Sequence, residues 1–248
     1  MKVAFLTNPS RHAAYLVDQT SRRFPTPVWL VERRPAAAQV RALVRRRKYI
    51  GWRGVLGTCL LRVYSRFFEK PVEVLPPFVV EQPQPIEVDS INSPRVVDEV
   101  RRHGCDVCLV VGTSLIHRSV LAQLPRWTIN LHGGISPLYR GSNCCIWACL
   151  NDDLENLGLT WHVIDAGVDT GQILRQVRLT LSPGDTQSTI FARQSLEAWP
   201  ALAEMLEEYD RTGQIQPRPP AAAGEGRLYF TPTLAQYLRF KRKLAGRA

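Results

Sequence analysis

The segment Asn130-Leu131-His132-Gly133-Gly134 sets an amide two residues from an imidazole. In an extended chain, residues i and i+2 project from the same face. The amide can donate to a developing oxyanion, and the imidazole can move a proton near neutral pH. The pair therefore suits acyl transfer. The glycines that follow let the backbone approach a ligand closely. Further on, Thr160-Trp161-His162-Val163-Ile164 runs into a loop carrying Asp165, Gly167, Asp169 and Gly171. A carboxylate from this loop, placed beside His132, is expected to orient the ring and raise its pKa. Taken singly, Asn-x-His is also what a capped strand end carries, and an aspartate is also a turn former.

The six cysteines offer a second chemistry. Cys105 and Cys108 form a C-x-x-C, and Cys144, Cys145 and Cys149 cluster later. The C-x-x-C lies where the pattern reads as a strand, in which positions i and i+3 face opposite ways. Cys145 and Cys149 share one face of a helix. Structural thiols are expected rather than a zinc site, and no metal is called for.

The elements that must position these residues alternate. Strands are expected at Lys2–Thr7, Val28–Val31, Ile86–Val88, Asp106–Val111, Trp127–Leu131, Leu159–Ile164 and Ile173–Leu181. Helices are expected at Arg11–Arg23, with Ala14, Leu16 and Val17 inward, and from Pro94 to about Arg102, capped by Ser93. Others are expected at Leu115–Leu124, Cys144–Leu150 and Thr186–Arg211, the last with a kink at Pro200. Pro71–Pro85 reads as an extended connection, His132–Asn143 as a long polar loop, and 213–226 as a flexible linker. Such alternation predicts an α/β, Rossmann-like fold with a mostly parallel sheet and flanking helices. Parallel sheets bind ligands at the C-terminal ends of their strands, so chemistry is expected just after Val111, Leu131 and Ile164.

The run Asn-Leu-His, then Arg140-Gly141, then Val168-Asp169-Thr170-Gly171-Gln172-Ile173, then Gly184-Asp185-Thr186, resembles the folate-dependent formyltransferase family. That family includes methionyl-tRNA formyltransferase and glycinamide ribonucleotide formyltransferase. The resemblance covers about residues 86–210. It implies a catalytic Asn130, His132 and Asp169, with 10-formyltetrahydrofolate as formyl donor and an amine as acceptor. It implies a folate pocket at Ser114, Leu115, Ile116, Leu121, Ile164 and Val168. It further implies an oxyanion held by Asn130 and a protonated His132, with Asp169 orienting the ring and relaying the amine proton. His162 matches a further family histidine, with packing under the site as the other reading. Tyr139 and Arg140 stand where they could meet the acceptor.

Departures from the family bear on that acceptor. The loop Thr7-Asn8-Pro9-Ser10-Arg11 lacks the glycines that cradle phosphate in the purine enzymes. Residues 213–248 are fewer than the barrel domain with which the tRNA enzymes hold tRNA. The first strand begins at Lys2, so a regulatory domain of the hydrolase kind is not expected before it. A small amine is expected, a nucleotide-linked amino sugar first. The alternatives are an aminoacyl-tRNA or specialised amine, hydrolysis of the folate donor, and a non-enzymatic folate sensor. The catalytic domain is expected to span 1–212, with 213–248 as linker and short basic tail.

Residues 33–70 hold eleven of the 32 basic residues and one of the 22 acidic ones, which is the whole net charge of +10. A near-neutral body with one basic segment argues against a chain that coats nucleic acid. In this basic amphipathic insertion, at about 36–70, apolar positions 56, 60, 63, 64 and 67 keep helical spacing. A helical pair packed on the sheet is the plain expectation. A lid, a homodimer face and a membrane-surface helix are the alternatives. No apolar run is long enough to span a bilayer or serve as a signal peptide, so a cytoplasmic protein is expected.

Overall fold

The computed structural model describes residues 1–69, 74–182 and 184–246. Lys70, the first three residues of the expected Pro71–Pro85 connection, Pro183, Arg247 and Ala248 lie outside the described residues. A seven-stranded sheet runs in the order β3 (Pro85–Val88), β2 (Val28–Glu32), β1 (Val3–Thr7), β4 (Val107–Val111), β5 (Trp127–His132), β7 (Gly158–Val163), β8 (Ile173–Arg178). β6 (Tyr139–Gly141) lies outside it. The first five strands of that order are parallel. β7 and β8 are antiparallel to their neighbours. The β7–β8 connection, residues 164–172, is too short for a crossover helix, so the two strands return as a hairpin.

Alternation along the strands builds two cores. Val3, Phe5, Val107, Leu109 and Ile129 face helices α1 (Arg11–Ser21) and α7 (Gln187–Thr212), meeting Ala13, Leu16, Leu202 and Met205. Ala4, Leu6, Cys108 and Val110 face the other way, toward α4 (Pro94–Arg102) and α5 (Arg118–Leu121), meeting Val96, Val97 and Val100. Several expected boundaries shift. In α1 it is Ala13 that is buried, and Ala14 only partly. α5 is one turn, not Leu115–Leu124. Ser93 precedes α4 without a side-chain cap bond, whereas Ser10 caps α1 by accepting from Ala13 N–H. α7 runs continuously through Pro200 from a Thr186–Thr189 capping box. Asp185 accepts from Thr189 Oγ1 and pairs with Arg193, fixing that helix start.

A third core joins regions that the sequence reading kept apart. α8 (Leu234–Ala245) packs with α6 (Cys144–Leu150) and with one face of α3 (Arg47–Phe68). Cys144, Cys145, Ile146, Tyr237, Phe240 and Leu61 are buried together there. β9 (Arg227–Tyr229) pairs parallel with β6. The tail is therefore packed into the body. The 213–226 stretch has no helix or strand but is pinned: Ile215 is buried, Arg218 N–H donates to Ile173 O, and Ala221 N–H to Gln176 Oε1.

The insertion is α2 (Ala36–Arg45) followed by α3, with the backbone turning at Gly51, φ 65°. It packs chiefly on α8 rather than on the sheet. Val55, Thr58 and Leu61 form the buried face. A Cβ at Gly57 would stand 2.7 Å from Thr233, so this glycine sets the closeness of the two helices. Of the expected inward stripe, Leu56, Leu60, Val63 and Phe67 instead face solvent, and Tyr64 is half-buried.

Candidate active site

β5 extends one residue further than expected, to His132, and pairs with β7 so that Asn130 lies opposite His162. Because β7 is antiparallel, Ile164 arrives beside Thr128 rather than at the C-terminal end of β5; its N–H donates to Thr128 O at 2.8 Å. The chemistry expected just after Ile164 is therefore carried by the loop that follows it, which turns back toward the end of β5, and not by the end of β7 itself. Residues 165–172 then return across the cluster. The return is tight: a Cβ at Gly171 would stand 1.7 Å from Val163 O. It delivers Asp169, at φ 52°, against both histidines.

Asp169 Oδ2 is 3.3 Å from His132 Nδ1, and Oδ1 is 3.4 Å from His162 Nε2. Asn130 Nδ2 reaches Asp169 Oδ1 at 3.4 Å and His162 Nε2 at 3.1 Å. The structure thus brings Asn130, His132 and Asp169 together and adds His162. A carbonyl can only accept, which fixes the tautomers. His132 Nε2–H donates to Tyr139 O at 2.7 Å. His162 Nδ1–H donates to Val163 O at 2.9 Å, so its neutral ring accepts Asn130's amide through Nε2.

The bare Nδ1 of a neutral His132 therefore faces a carboxylate oxygen across a gap that suits one proton. Burial lowers the His132 pKa, and the attraction of Asp169 does not overcome it. The sequence expectation had the opposite sign, because it counted the carboxylate and not the desolvation. Burial by itself would push Asp169 up. His162 and His132, which attract the carboxylate when they carry a proton, and the Gly141 N–H, donated at 2.8 Å, outweigh it and hold the carboxyl low. At neutral pH the cluster is a carboxylate beside a neutral imidazole, not beside a standing cation.

The surrounding glycines have specific reasons. A Cβ at Gly134 would stand 2.8 Å from His132 Nε2 and 2.9 Å from Tyr139 O, inside the very hydrogen bond that fixes the ring. Gly141 has φ 97°, and a Cβ there would meet Tyr229 O at 2.2 Å. Its N–H reaches Asp169 only in this conformation, braced by the tail strand. The 132–143 segment is not the polar loop expected. Gly134, Ile135 and Ser136 are buried, and Thr160 satisfies their backbone, donating to Gly134 O and accepting from Ser136 N–H.

Tyr139 does not face an acceptor. It is 4% exposed, stacks on Tyr229 and donates its hydroxyl to Asp153. Its contribution is the carbonyl that holds His132. Arg140 is half-buried; Nη2 donates to Gly226 O while Nε is buried without a partner among the described residues. Ser114, Leu115 and Ile116 follow β4 as expected. Ser114 N–H and Oγ both donate to buried Glu32, at 2.7 and 2.6 Å, and Ile91 N–H donates to it as well. Glu32, missed in the sequence, thus pins this turn from the end of β2. Leu115 is 67% exposed, Ile116 and Ile164 pack on the second core, and Leu121 and Val168 are half-buried. Burial pushes the Cys105 thiol up to about 11 and Cys108 higher still, so both are held as thiols.

Comparison with known proteins matches the chain to a family. The formyl transferase family pattern fits residues 68–206, more than half of the chain. The chain belongs to the formyl transferase family. Methionyl-tRNA formyltransferase of Myxococcus xanthus is 29% identical over 157 residues, covering 59% of this chain and 50% of that protein. GDP-perosamine N-formyltransferase of Brucella melitensis is 35% identical over 98 residues, covering 40% and 38%. The chain thus spans about half or less of the curated relatives it matches. A sugar N-formyltransferase from a Shewanella species superposes with TM-score 0.58 at 12% identity, covering 98% of this chain and 87% of that one. Phosphoribosylglycinamide formyltransferase of Bacillus halodurans gives 0.56 at 17%, covering 86% and 98%. At these identities the superpositions show the shared fold: a mostly parallel seven-stranded sheet flanked by helices.

Proposed function

We propose that this formyl transferase moves a formyl group from 10-formyltetrahydrofolate to the amine of a small acceptor, with a nucleotide-linked amino sugar as the leading acceptor. The observation that carries the reading is the single-proton gap between His132 Nδ1 and Asp169 Oδ2 beside the Asn130 amide. The bound donor supplies the formyl carbon and a leaving nitrogen. The apolar, backbone-rich turn at Ser114–Ile116 with Ile164 and Val168 fits a flat, largely apolar ring system. Exposed Leu115 is the side chain on which such a ring would lie.

The protein's own residues then have these roles. The Asn130 amide keeps its bond to His162 and turns its other N–H from the long 3.4 Å contact with Asp169 to the oxygen that gains charge as the amine attacks the formyl carbon. Asp169 and His132 take the proton released by that nitrogen as one unit and return it to the leaving nitrogen as the old carbon–nitrogen bond breaks. His162 accepts from Asn130 and fixes the direction of its amide. Burial lowers the His132 pKa, so the Asn130 amide is the oxyanion donor that does not depend on the protonation of that ring.

For the acceptor, the relative acting on GDP-perosamine supports an amino sugar. Arg140, whose buried Nε has no partner among the described residues, suits an anionic group such as a diphosphate. The loop after β1 carries no glycine, which disfavours a phosphate cradle of the purine type. The test is incubation with 10-formyltetrahydrofolate and a panel of nucleotide amino sugars, following tetrahydrofolate release and formyl mass gain. Amine-dependent release with a formylated product is expected. Amine-independent release would replace the reading with hydrolysis, and binding without release would replace it with a sensor.

A further inference from the structure

The α2–α3 hairpin carries a surface that the proposed reaction does not use. On α3 the residues Tyr49, Trp52, Leu56, Leu60, Val63 and Phe67 follow one another at intervals of three or four and are each between 48% and 76% exposed. By helical geometry Leu56, Leu60, Val63 and Phe67 lie within one narrow stripe, opposite the buried face at Val55, Thr58 and Leu61. Arg53 borders the stripe on one side, and Arg66 borders it on the other. Arg47 and Lys48 stand at its start, and Arg41 and Arg45 are exposed on α2. Residues 36–68 contain no Asp or Glu.

We infer that this face docks on an anionic membrane surface, with the stripe in the headgroup–acyl boundary and the arginines against lipid phosphates. A long apolar stripe bordered by arginine and lysine is the pattern of helices that lie in the plane of a bilayer interface. Long basic side chains can keep their heads in the phosphate layer while their stems cover the apolar edge. The charges choose among occupants. A second copy would bring arginine borders against arginine borders, with no carboxylate on either hairpin to meet them. A nucleic acid would use the arginines but has no place for Leu56, Leu60 and Val63, since a phosphate backbone is hydrated and bases stack on aromatic rings. Among the described residues no helix is long and apolar enough to cross a membrane, so the contact is superficial.

The surface adjoins the candidate site through the tail. Tyr49 stacks on Phe230, Tyr229 pairs with Gly141 in the β6–β9 register, and Gly141 N–H holds Asp169. The test is vesicle flotation of the full chain at 0.1 M salt, with 7:3 phosphatidylcholine:phosphatidylglycerol against pure phosphatidylcholine. At least tenfold stronger partition onto the anionic vesicles is expected, weakening in 0.5 M salt. The variant Leu56→Gln/Leu60→Gln/Phe67→Gln is expected to lose at least tenfold in partition with an unchanged thermal midpoint. Arg47→Gln/Arg53→Gln/Arg66→Gln is expected to lose the preference for anionic vesicles. Absence of flotation, or flotation indifferent to both variants, overturns the inference. So does a concentration-dependent dimer that the apolar variant abolishes, or tRNA retention that depends on the stripe.

Discussion

Two regions of this chain read alike as patterns and differ in what surrounds them. The Asn130–His132–Asp169 cluster and the α3 stripe are both spacings that place side chains on one face. In the cluster, His132, Asp169 and the Asn130 amide all have internal partners, including two backbone groups, Tyr139 O and Gly141 N–H. On α3 the side chains at matching spacing meet solvent. A motif at a buried site is over-determined by neighbours, so its residues are held to one geometry. A motif on an exposed helix states only what it offers to a partner.

The sharpest way to break the comparison is to remove the carboxylate without removing its shape. Asp169→Asn keeps an oxygen for Gly141 N–H but deletes the proton acceptor facing His132. Turnover is expected to fall by ~10³–10⁴-fold with the fold intact, measured as tetrahydrofolate release. Near-full activity would mean that the cluster is structural and no more committed to chemistry than the stripe. Asn130→Ala tests the amide separately, with ~10²–10³-fold expected.

The next effect separates the two faces around the third core. Phe240 is fully buried among α6 and α8 side chains. Phe240→Ala is expected to cost about 3–5 kcal/mol in denaturant unfolding, because the cavity forms in a packed core. A tail that were a mere basic extension would show almost none of this.

How far the sequence reached follows the same division. The parallel strands were legible because strands buried on both faces read as apolar runs, as Val107–Val111 does. Asn130, His132 and Asp169 were legible because residue type and order carry them. The direction of β7 was not, since a strand's polarity depends on the length of the connection that follows. Tyr139 O, Gly141 N–H and Glu32 were missed because two are backbone groups and the third lies far upstream of the turn it pins. Which α3 stripe is buried was misread for a plain reason. Leu56 and Leu61 are equally apolar, and the choice between them was made by α8, whose own packing face had been taken for a short basic tail.

The sign of the His132 shift gives a pH test of smaller size. With the folded value below the ordinary 6.5, the neutral ring is the working form. The kcat/KM for the folate donor, at saturating acceptor, is expected to be level above that value. It should fall about tenfold per pH unit once pH drops below the depressed value. Stability follows the same sign. Between the folded value and 6.5 the unfolded chain binds more protons, so this contribution is full above 6.5 and is lost as pH falls through the window. A rate that rose on acidification to pH 6 would instead indicate a working imidazolium, and the Asn130 amide would no longer stand as the sole oxyanion donor.

The smallest effect is the most telling about the exposed region. Leu56 is 61% exposed, whereas Leu61, five residues on along the same helix, is 8% exposed. Glutamine is nearly as good a helix former as leucine, so Leu56→Gln removes apolar surface without a propensity penalty. Its effect on unfolding in solution is expected to lie within about 0.5 kcal/mol, while Leu61→Ala should cost about 2 kcal/mol or more. Chemical denaturation of the two variants, side by side, checks this. If Leu56→Gln cost as much as Leu61→Ala, the stripe would be supporting the fold from within, as the sequence pattern alone suggests. If the cost is negligible, the apolar character of that face contributes nothing to folding, and its place in the chain has to be explained by something it meets outside.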